Sequence, residues 1–414
     1  MSDAATDAAS ASLWRNRAFL RLWLAQVVSS AGTSITNVAL PLTAVLVLRA
    51  SPAQMGLLGI AGSLPNVLFG PAAGVWVDRT QRRPILIGAD LGRAALLGSI
   101  PAAAALGQVT FLHLWIVVFL SGSLTVFFQI ASIALLPTLV TRAQLVEANS
   151  KLSISDSVVA IAGPGAAGGL VQVLGAPKAL LADASSYLLS AWSLRGVRSQ
   201  DGRRIGGKAR VSVRREVMEG FSELVAAPLL RTLTITSSMG MLAGALEGAV
   251  LLLFLARQLE LGPSSIGLVL ACGGGGSLIG AALAGRTART MGVGPAMILG
   301  KSLWAVGVLS LPAAGLLGPT LPFVVVGQLL TGVGAAMYMV NQVSLRQGIT
   351  PVRLLGRVTA ARRFVLFGAG AAGAALGGLL GGAIGLRETL FVGAAALGIE
   401  LVLLIASPLR SVRA

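Results

Sequence analysis

Apolar residues in this chain come in long unbroken runs, without the strict alternation of a strand. An α-helix needs ~20 mainly apolar residues to cross ~30 Å of hydrocarbon. Runs of that kind recur near residues 18–48, 53–77, 84–106, 112–140, 145–174, 177–197, 229–256, 264–285, 293–317, 320–346, 354–384 and 387–408. The pattern therefore predicts twelve membrane-spanning helices. Gly and Pro recur inside the runs, which helices in lipid tolerate better than helices in water, and the poor fit to alternation disfavours a β-barrel.

The longest polar interruption, at about 198–215, divides the spans into six and six. This predicts a cytoplasmic tail over 1–17, an N-terminal six-helix bundle over 18–197, a linker over 198–228, a second bundle over 229–408 and a short tail over 409–414. Within the linker, Val213, Val217, Phe221 and Leu224 share one helical face, with Arg214, Arg215, Glu216, Glu219 and Glu223 off it. Such a helix can lie in the headgroup region; a solvated linker helix or the start of the seventh span are the alternatives.

Composition agrees with the runs. Hydrophobic residues make up 55% of the 414 and charged residues 11%, against about 25% charged in ordinary soluble domains. With a mean hydropathy of +0.84, this is an integral membrane protein. The net charge of +17 does not point to nucleic acid, because the basic residues sit in short clusters between apolar runs and report topology. Loops after even-numbered spans hold Arg79, Arg82, Arg83, Arg142, Arg198, Arg203, Arg204, Lys208, Arg210, Arg214, Arg215, Arg286, Arg289, Arg346 and Arg353. Loops after odd-numbered spans hold Arg49, Lys178, Arg257 and Arg387. Both termini are thus expected in the cytoplasm. One cysteine, Cys272, and one histidine, His113, leave no disulfide framework and no His/Cys metal site. The polar opening "MSDAATDAASAS" has no signal-peptide pattern.

The halves also echo one another, as transporter repeats do. "VDRTQRR" at 77–83 returns as "AGRTART" at 284–290, and "GPGAAGG" at 163–169 as "GAGAAGA" at 368–374, both at an offset of about half the chain. Two six-helix halves, a basic central loop and "GVWVDRTQRR" between the second and third spans resemble the major facilitator superfamily. Gly74, Asp78, Arg79, Arg82 and Arg83 match its loop signature, with Gln81 in place of the usual glycine. "ADLGRAALL", "LPTLVTRAQLVEANSKL", "LADASSYLLSA" and "LRQGITPVRLLGRVTAARR" further resemble its bacterial drug, macrolide and siderophore exporters.

That resemblance implies an all-α transporter of two pseudo-symmetric bundles, driven by protons and needing no cofactor or metal, in the cytoplasmic membrane as a monomer. It implies no enzyme. Asp78 shares a helix face with Gly74 and would meet the eleventh span across the cytoplasmic gate. Asp90 and Arg93, three apart on the third span, would join the same gating network.

Ionisable residues inside a membrane cost roughly 2.5–3.5 kcal/mol each and default to functional candidates. The superfamily places spans one, four, seven and ten around the cavity, so Glu247 in the seventh is the first candidate for proton coupling and Asp156 in the fifth the second. Substrate contact alone or a structural partner remain alternatives for Glu247. Asp183 and Glu400 are expected to pair inside their own halves. Gln26, Asn37, Gln129, Gln328, Asn341 and Gln342 are the candidate polar residues of the cavity, whose other residues are mainly aliphatic. That balance suits a bulky amphipathic substrate better than a sugar. Gly163, Pro164 and Gly168 resemble an antiporter Gly-Pro motif, and should pack against Gly276 and Gly280 of the eighth span at small-xxx-small spacing. An uptake symporter and a lipid-translocating or non-transporting membrane component are the competing functions.

Overall fold

The computed structural model describes residues 13–197, 213–317, 320–351 and 354–412. Among them are thirteen α-helices. The first half holds α1 (Arg17–Leu42), α2 (Pro52–Arg79), α3 (Arg82–Ala105), α4 (Phe111–Leu139), α5 (Leu145–Leu174) and α6 (Ala176–Arg195). The short α7 (Val213–Ala226) follows, then α8 (Pro228–Leu253), α9 (Pro263–Met291), α10 (Val293–Ala313), α11 (Thr320–Ile349), α12 (Leu355–Ala383) and α13 (Leu386–Ala406). Ten of these are long and apolar enough to cross a membrane; α2, α6 and α7 fall outside that group.

The halves repeat in detail. In the first, α1 lies against α5 and α6, α3 against α4 and α6, and α2 against α4; in the second, α8 lies against α12 and α13, α10 against α11 and α13, and α9 against α11. Local chemistry repeats with them. Pro52 and Pro263 stand in the first turns of α2 and α9, where a missing N–H costs nothing. α1 and α8 both end in a π-helical turn, Thr43–Val47 and Phe254–Gln258. Each is followed by a non-glycine residue in the left-handed region, Arg49 at φ 50° and Glu260 at φ 53°. Sequence identity between the halves is faint, yet the backbone keeps even its uncommon turns.

The halves meet through α2 with α12 and α5 with α9. A methyl added at Gly267 would stand 2.8 Å from Gly168 Cα and 2.6 Å from the Pro164 carbonyl; one added at Gly56 would stand 2.9 Å from Gly378 Cα and 2.6 Å from the Ala374 carbonyl. The two crossings are pseudo-symmetry mates. Both lie toward the face of the bundle opposite the chain termini. The packing partners expected for the other glycines differ: Gly163 meets Ser34 of α1, while Gly276 and Gly280 seat on the Leu329 and Val333 carbonyls of α11. The glycine run of α9 is wide enough to serve two neighbours, and its α5 contact falls nearer its start, at Gly267 and Gly274.

Three sequence expectations change here. α7 does not turn its apolar side to a headgroup layer: Leu224 is buried, Phe221 meets Phe364 edge-on at 6.1 Å, Gly220 abuts the Arg357 backbone, and Glu219 pairs with Arg357, all on α12. The side chains of Arg214, Arg215, Glu216, Val213 and Val217 lie outside the described residues. Packing also begins inside the expected first tail, where Leu13 is fully buried and the Asn16 amide donates to the Leu139 carbonyl at 2.8 Å. At the other end Leu409 is buried and Val412 accepts from the Gly294 N–H at 3.0 Å.

In the second half a full ion pair is sealed from solvent. Lys301 Nζ on α10 stands 2.8 Å from Glu400 Oε1 on α13, both side chains at 0% exposure. The ammonium also lies over the rings of Trp304, at 3.9 Å, and Tyr338, at 4.1 Å, and the Tyr338 hydroxyl is shared with Thr236 and Ser237 of α8. Glu400 is thus paired inside its own half, as the sequence suggested.

Two outcomes are expected. Gly267→Leu and Gly378→Leu each force backbone apart, so each should lower the thermal midpoint of the purified protein by several degrees, whereas Gly169→Ala, with no atom within 4 Å of an added methyl, should not. Lys301→Met strands a buried carboxylate and should cost about 3–5 kcal/mol, seen as loss of folded protein in denaturation curves; the double change Lys301→Met with Glu400→Leu should recover most of it.

Candidate functional site

Between the halves lies a polar-apolar cavity in connected compartments. One, of about 830 Å³, is lined by Gln26, Ser132, Asn149 and Asp156 of the first half and Arg363 of the second. It lies at the ends of α1, α4, α5 and α12 on the side of the termini. A second, of about 520 Å³, runs from the middle to the level of the Gly56 crossing, where Leu40, Pro41, Met55 and Leu252 line it, and shares Thr33, Asn37, Thr125 and Gln129 with the first. A third, about 230 Å³ between α2, α4 and α12, shares Gln129 and Arg363. The cavity is therefore open toward the termini and closed beyond by the two glycine crossings.

The first-half residues proposed from sequence stand in this cavity. Gln26 donates to the Ser132 hydroxyl, Asn37 lines two compartments and Gln129 all three. Asp156 is exposed on the wall and accepts from the Ser30 hydroxyl at 3.2 Å. The second-half residues are placed elsewhere. Asn341 Nδ2 donates to the Met337 carbonyl at 2.9 Å and faces the Ala284 carbonyl, Gln328 turns toward Gly273 of α9, and Gln342 is fully buried with both amide atoms unbonded. None of the three lines these compartments. Gln328 and Asn341 turn toward α9, whose glycines bring the two backbones close.

Glu247 is the main correction. α8 gives the cavity wall Ala245, Gly248, Ala249 and Leu252. Glu247 shares instead the face of Gly240 and Ala243, seven and four residues earlier, and Gly240 abuts Glu400 and Lys301. It is buried at 7% exposure and makes no ion pair or hydrogen bond among the described residues. The seventh span does border the cavity, as expected, but the carboxylate lies on its other side.

Sequence reasoning missed Asn66, Arg363 and the hydroxyls Thr33, Thr36 and Thr125 of the wall. A signal existed for α1: "SSAGTSITN", Ser29 to Asn37, carries too many small polar residues for a face in contact with lipid.

Of the loop signature, the side chains of Gly74, Asp78 and Arg79 lie outside the described residues, and Arg82 is engaged. Arg83 donates to the carbonyls of Leu194, at 3.1 Å, and Arg195. It thereby caps the C-terminal end of α6, where a cation offsets unpaired carbonyls. Asp90 and Arg93 form an ion pair of 0% and 2% exposure. Asp90 also accepts from Ser190 of α6 at 2.6 Å, and the Arg93 guanidinium lies over Phe128 of α4 at 4.4 Å and Tyr187 of α6 at 4.1 Å. Arg93 and Lys301 are thus counterparts: each is a buried cation between two rings, on the third helix of its half. Asp183 finds its partners inside its own half, as expected, and they are hydroxyls: it accepts from Thr36 of α1 and from Ser186, the latter at 2.9 Å.

The pattern of the transmembrane secretion effector family matches residues 8–414. An uncharacterised MFS-type transporter of Bacillus subtilis, YfiS, is 27% identical, with the match spanning 66% of this chain and just under two thirds, 65%, of that one. The multidrug efflux pump Tap of Mycolicibacterium fortuitum is 27% identical over 89% of this chain and 90% of Tap. Macrolide efflux protein A of Streptococcus pyogenes is 32% identical over 37% and 38%. The fold is similar to that of a bacterial homologue of the iron transporter ferroportin in its inward-facing state, with a TM-score of 0.73, 21% identity, and 97% of this chain and 100% of that one covered. With its helical membrane bundle and repeated halves, the chain belongs to the transmembrane secretion effector family, within the major facilitator superfamily of transporters.

Proposed function

We propose that this chain is a proton-driven exporter that carries bulky amphipathic small molecules out of the cell by alternating access. In this reading α2 and α6 also cross the membrane, giving twelve spans; both termini lie in the cytoplasm, and one copy works alone in the cytoplasmic membrane. The observation that carries the reading is the cavity, open on the side of the termini and sealed opposite, with a drug-sized volume. Its walls combine Leu40, Met55, Leu58 and Val118 with the amides of Asn37, Asn66 and Gln129. The inner compartment thus has apolar walls with a few amides, while the outer one is lined largely by polar side chains, Gln26, Asn149, Asp156 and Arg363 among them. A molecule with an apolar body and a polar or charged end suits that division.

Asp156 is the carboxylate that such a substrate meets: it stands exposed on the wall, whereas Asp90, Asp183, Glu247 and Glu400 are all buried. The names of two relatives, a multidrug efflux pump and a macrolide efflux protein, support the direction and the substrate class. For the cavity to open to the other side, the two glycine crossings part while α2 and α12 close at their opposite ends. The signature residues Gly74, Asp78, Arg79, Arg82 and Arg83 lie at that closing end, and we assign them the latch.

Everted membrane vesicles given a proton gradient should accumulate ethidium, and a protonophore should abolish the accumulation. Asp156→Asn should lower it by about tenfold, the worth of one charge-assisted contact. Accumulation that ignores the protonophore would end the proton-driven reading. Reporter fusions after Leu106 and after Arg204 should report opposite sides of the membrane; the same side for both would end the topology.

A further inference from the structure

Behind the first-half wall of the cavity lies a cluster whose members the sequence suggests to be structural. Asp90 and Asp183 are both at 0% exposure and Arg93 at 2%. One guanidinium thus stands among two carboxylates. Arg93 is committed to Asp90 by their ion pair, while Asp183 is held by hydroxyls alone, those of Thr36 and Ser186. The cluster is continuous along one face of α6: Asp183, Tyr187 and Ser190 follow at the spacing of helical turns, Tyr187 under Arg93 and Ser190 on Asp90. From α3 the charged groups facing Asp183 are Asp90 and Arg93, and on α6 the titratable neighbour is Tyr187. The contacts from α1 are uncharged, namely Gly32, Thr33 and Thr36. With all three charges present the enclosure carries one uncompensated negative charge, which a dry interior resists.

Arg93 and Tyr187 reach the cavity wall themselves, and Asp183 is one hydroxyl away from it. Thr36 lines the 520 Å³ compartment, and the same hydroxyl donates to Asp183 Oδ2. Thr33, which also lines it, bonds the Tyr187 hydroxyl at 2.9 Å. Gly32 is pressed against the carboxylate so closely that an added methyl would stand 2.2 Å from Asp183 Oδ1 and 2.0 Å from Ser186 Oγ. No side chain other than glycine fits between α1 and this group.

Resting on the proton-driven reading above, we propose that Asp183 is the site that carries the coupling proton, loaded and emptied through Thr36. A hydronium ion in the cavity gives a proton to Thr36 Oγ1 as the hydroxyl proton already there passes to Asp183 Oδ2; release runs the same two transfers backward and returns the proton to water. Arg93 stays positive and Asp90 stays paired throughout. Ionised, Asp183 takes the Thr36 hydroxyl as a donor pointing into the wall. Protonated, it donates to Thr36, whose own O–H then turns to the cavity beside Asn37. The proton therefore changes what α1 offers to a substrate without competing for the same carboxylate. Asp156, exposed on the wall, remains the substrate contact, and Glu247, on the far face of α8, takes no part.

The test uses purified full-length protein with ethidium as the probe. In proteoliposomes, the ratio of gradient-driven ethidium accumulation to ethidium counterflow should fall at least tenfold in Asp183→Asn and stay near the wild-type ratio in Glu247→Gln. Without any substrate, infrared difference spectra between acid and alkaline buffer should show a protonated-carboxyl band that Asp183→Asn removes and Glu247→Gln keeps. A wild-type ratio in Asp183→Asn, or a carboxyl region of the difference spectrum that this change leaves identical to wild type, overturns the assignment. If the wild type moves no ethidium at all, the export reading is what fails, and the infrared band still decides Asp183. Should Asp183→Asn not yield monodisperse protein, Thr36→Val decides with the carboxylate left in place: a ratio at least threefold lower supports the relay, and an unchanged ratio overturns it.

Discussion

Two glycine crossings decide how the halves of this molecule relate. At Gly168 with Gly267, and at Gly56 with Gly378, backbone rests on backbone, with no side chain between. In lipid no hydrophobic gain drives helices together, so close van der Waals contact and the loss of intervening lipid hold them. Such contact is strong only at short range. A small tilt loses nearly all of it, and no ion pair between the halves must be broken on the way. One charge-assisted bond does tie them on the sealed side, from the Arg257 guanidinium to the Val45 carbonyl at 3.3 Å, and opening has to release it.

The charges are arranged in the complementary way. Arg93 with Asp90, and Lys301 with Glu400, are paired inside their own halves, each cation lying between two rings. Breaking a buried pair costs several kcal/mol, so each half resists internal rearrangement far more than it resists movement against the other. Rigid halves joined by a non-ionic seam are what a rocking motion requires. Arg357 with Glu219 extends the second half outward by tying α7 to α12, which makes the linker helix a passenger of that half.

Much of this was legible in the sequence, because it rests on run length and on glycine. The spans at 354–384 and 320–346 agree with α12 and α11 to within a few residues, and the repeat was visible in "GPGAAGG" and its echo. Helix faces were not legible. The face a helix turns to one neighbour spans only on the order of 100° of its circumference, and Glu247 shows the consequence: the helix was placed correctly and the side chain was not. Gln328 and Asn341 failed for a related reason, since the glycines of α9 draw that face of α11 toward them, while Gln342 is buried away from these compartments. That Asp183 would be held inside its own half was legible; that hydroxyls of Thr36 and Ser186 would hold it was not, because this depends on how α1 packs on α6. The nearby cation, Arg93, is taken by Asp90 of its own helix.

The division of the cavity follows from the same packing. Its amides and hydroxyls come almost wholly from the first half, from α1, α2, α4 and α5, and α8 contributes Ala245, Gly248, Ala249 and Leu252, although the backbones of α1 and α8 are counterparts down to their π-helical ends. Pseudo-symmetry constrains the backbone and leaves the side chains free. In the first half the buried pair reaches the wall through Arg93, which lines the outer compartment, with Tyr187 and Thr125 beside it. In the second half the pair is walled off, and α8 turns small apolar residues to the cavity in front of it. Polar chemistry concentrated in one half allows the other to act mainly as a moving surface: it can close over a substrate of varied shape with dispersion and a single guanidinium, Arg363, while the first half reads charge and hydrogen bonds.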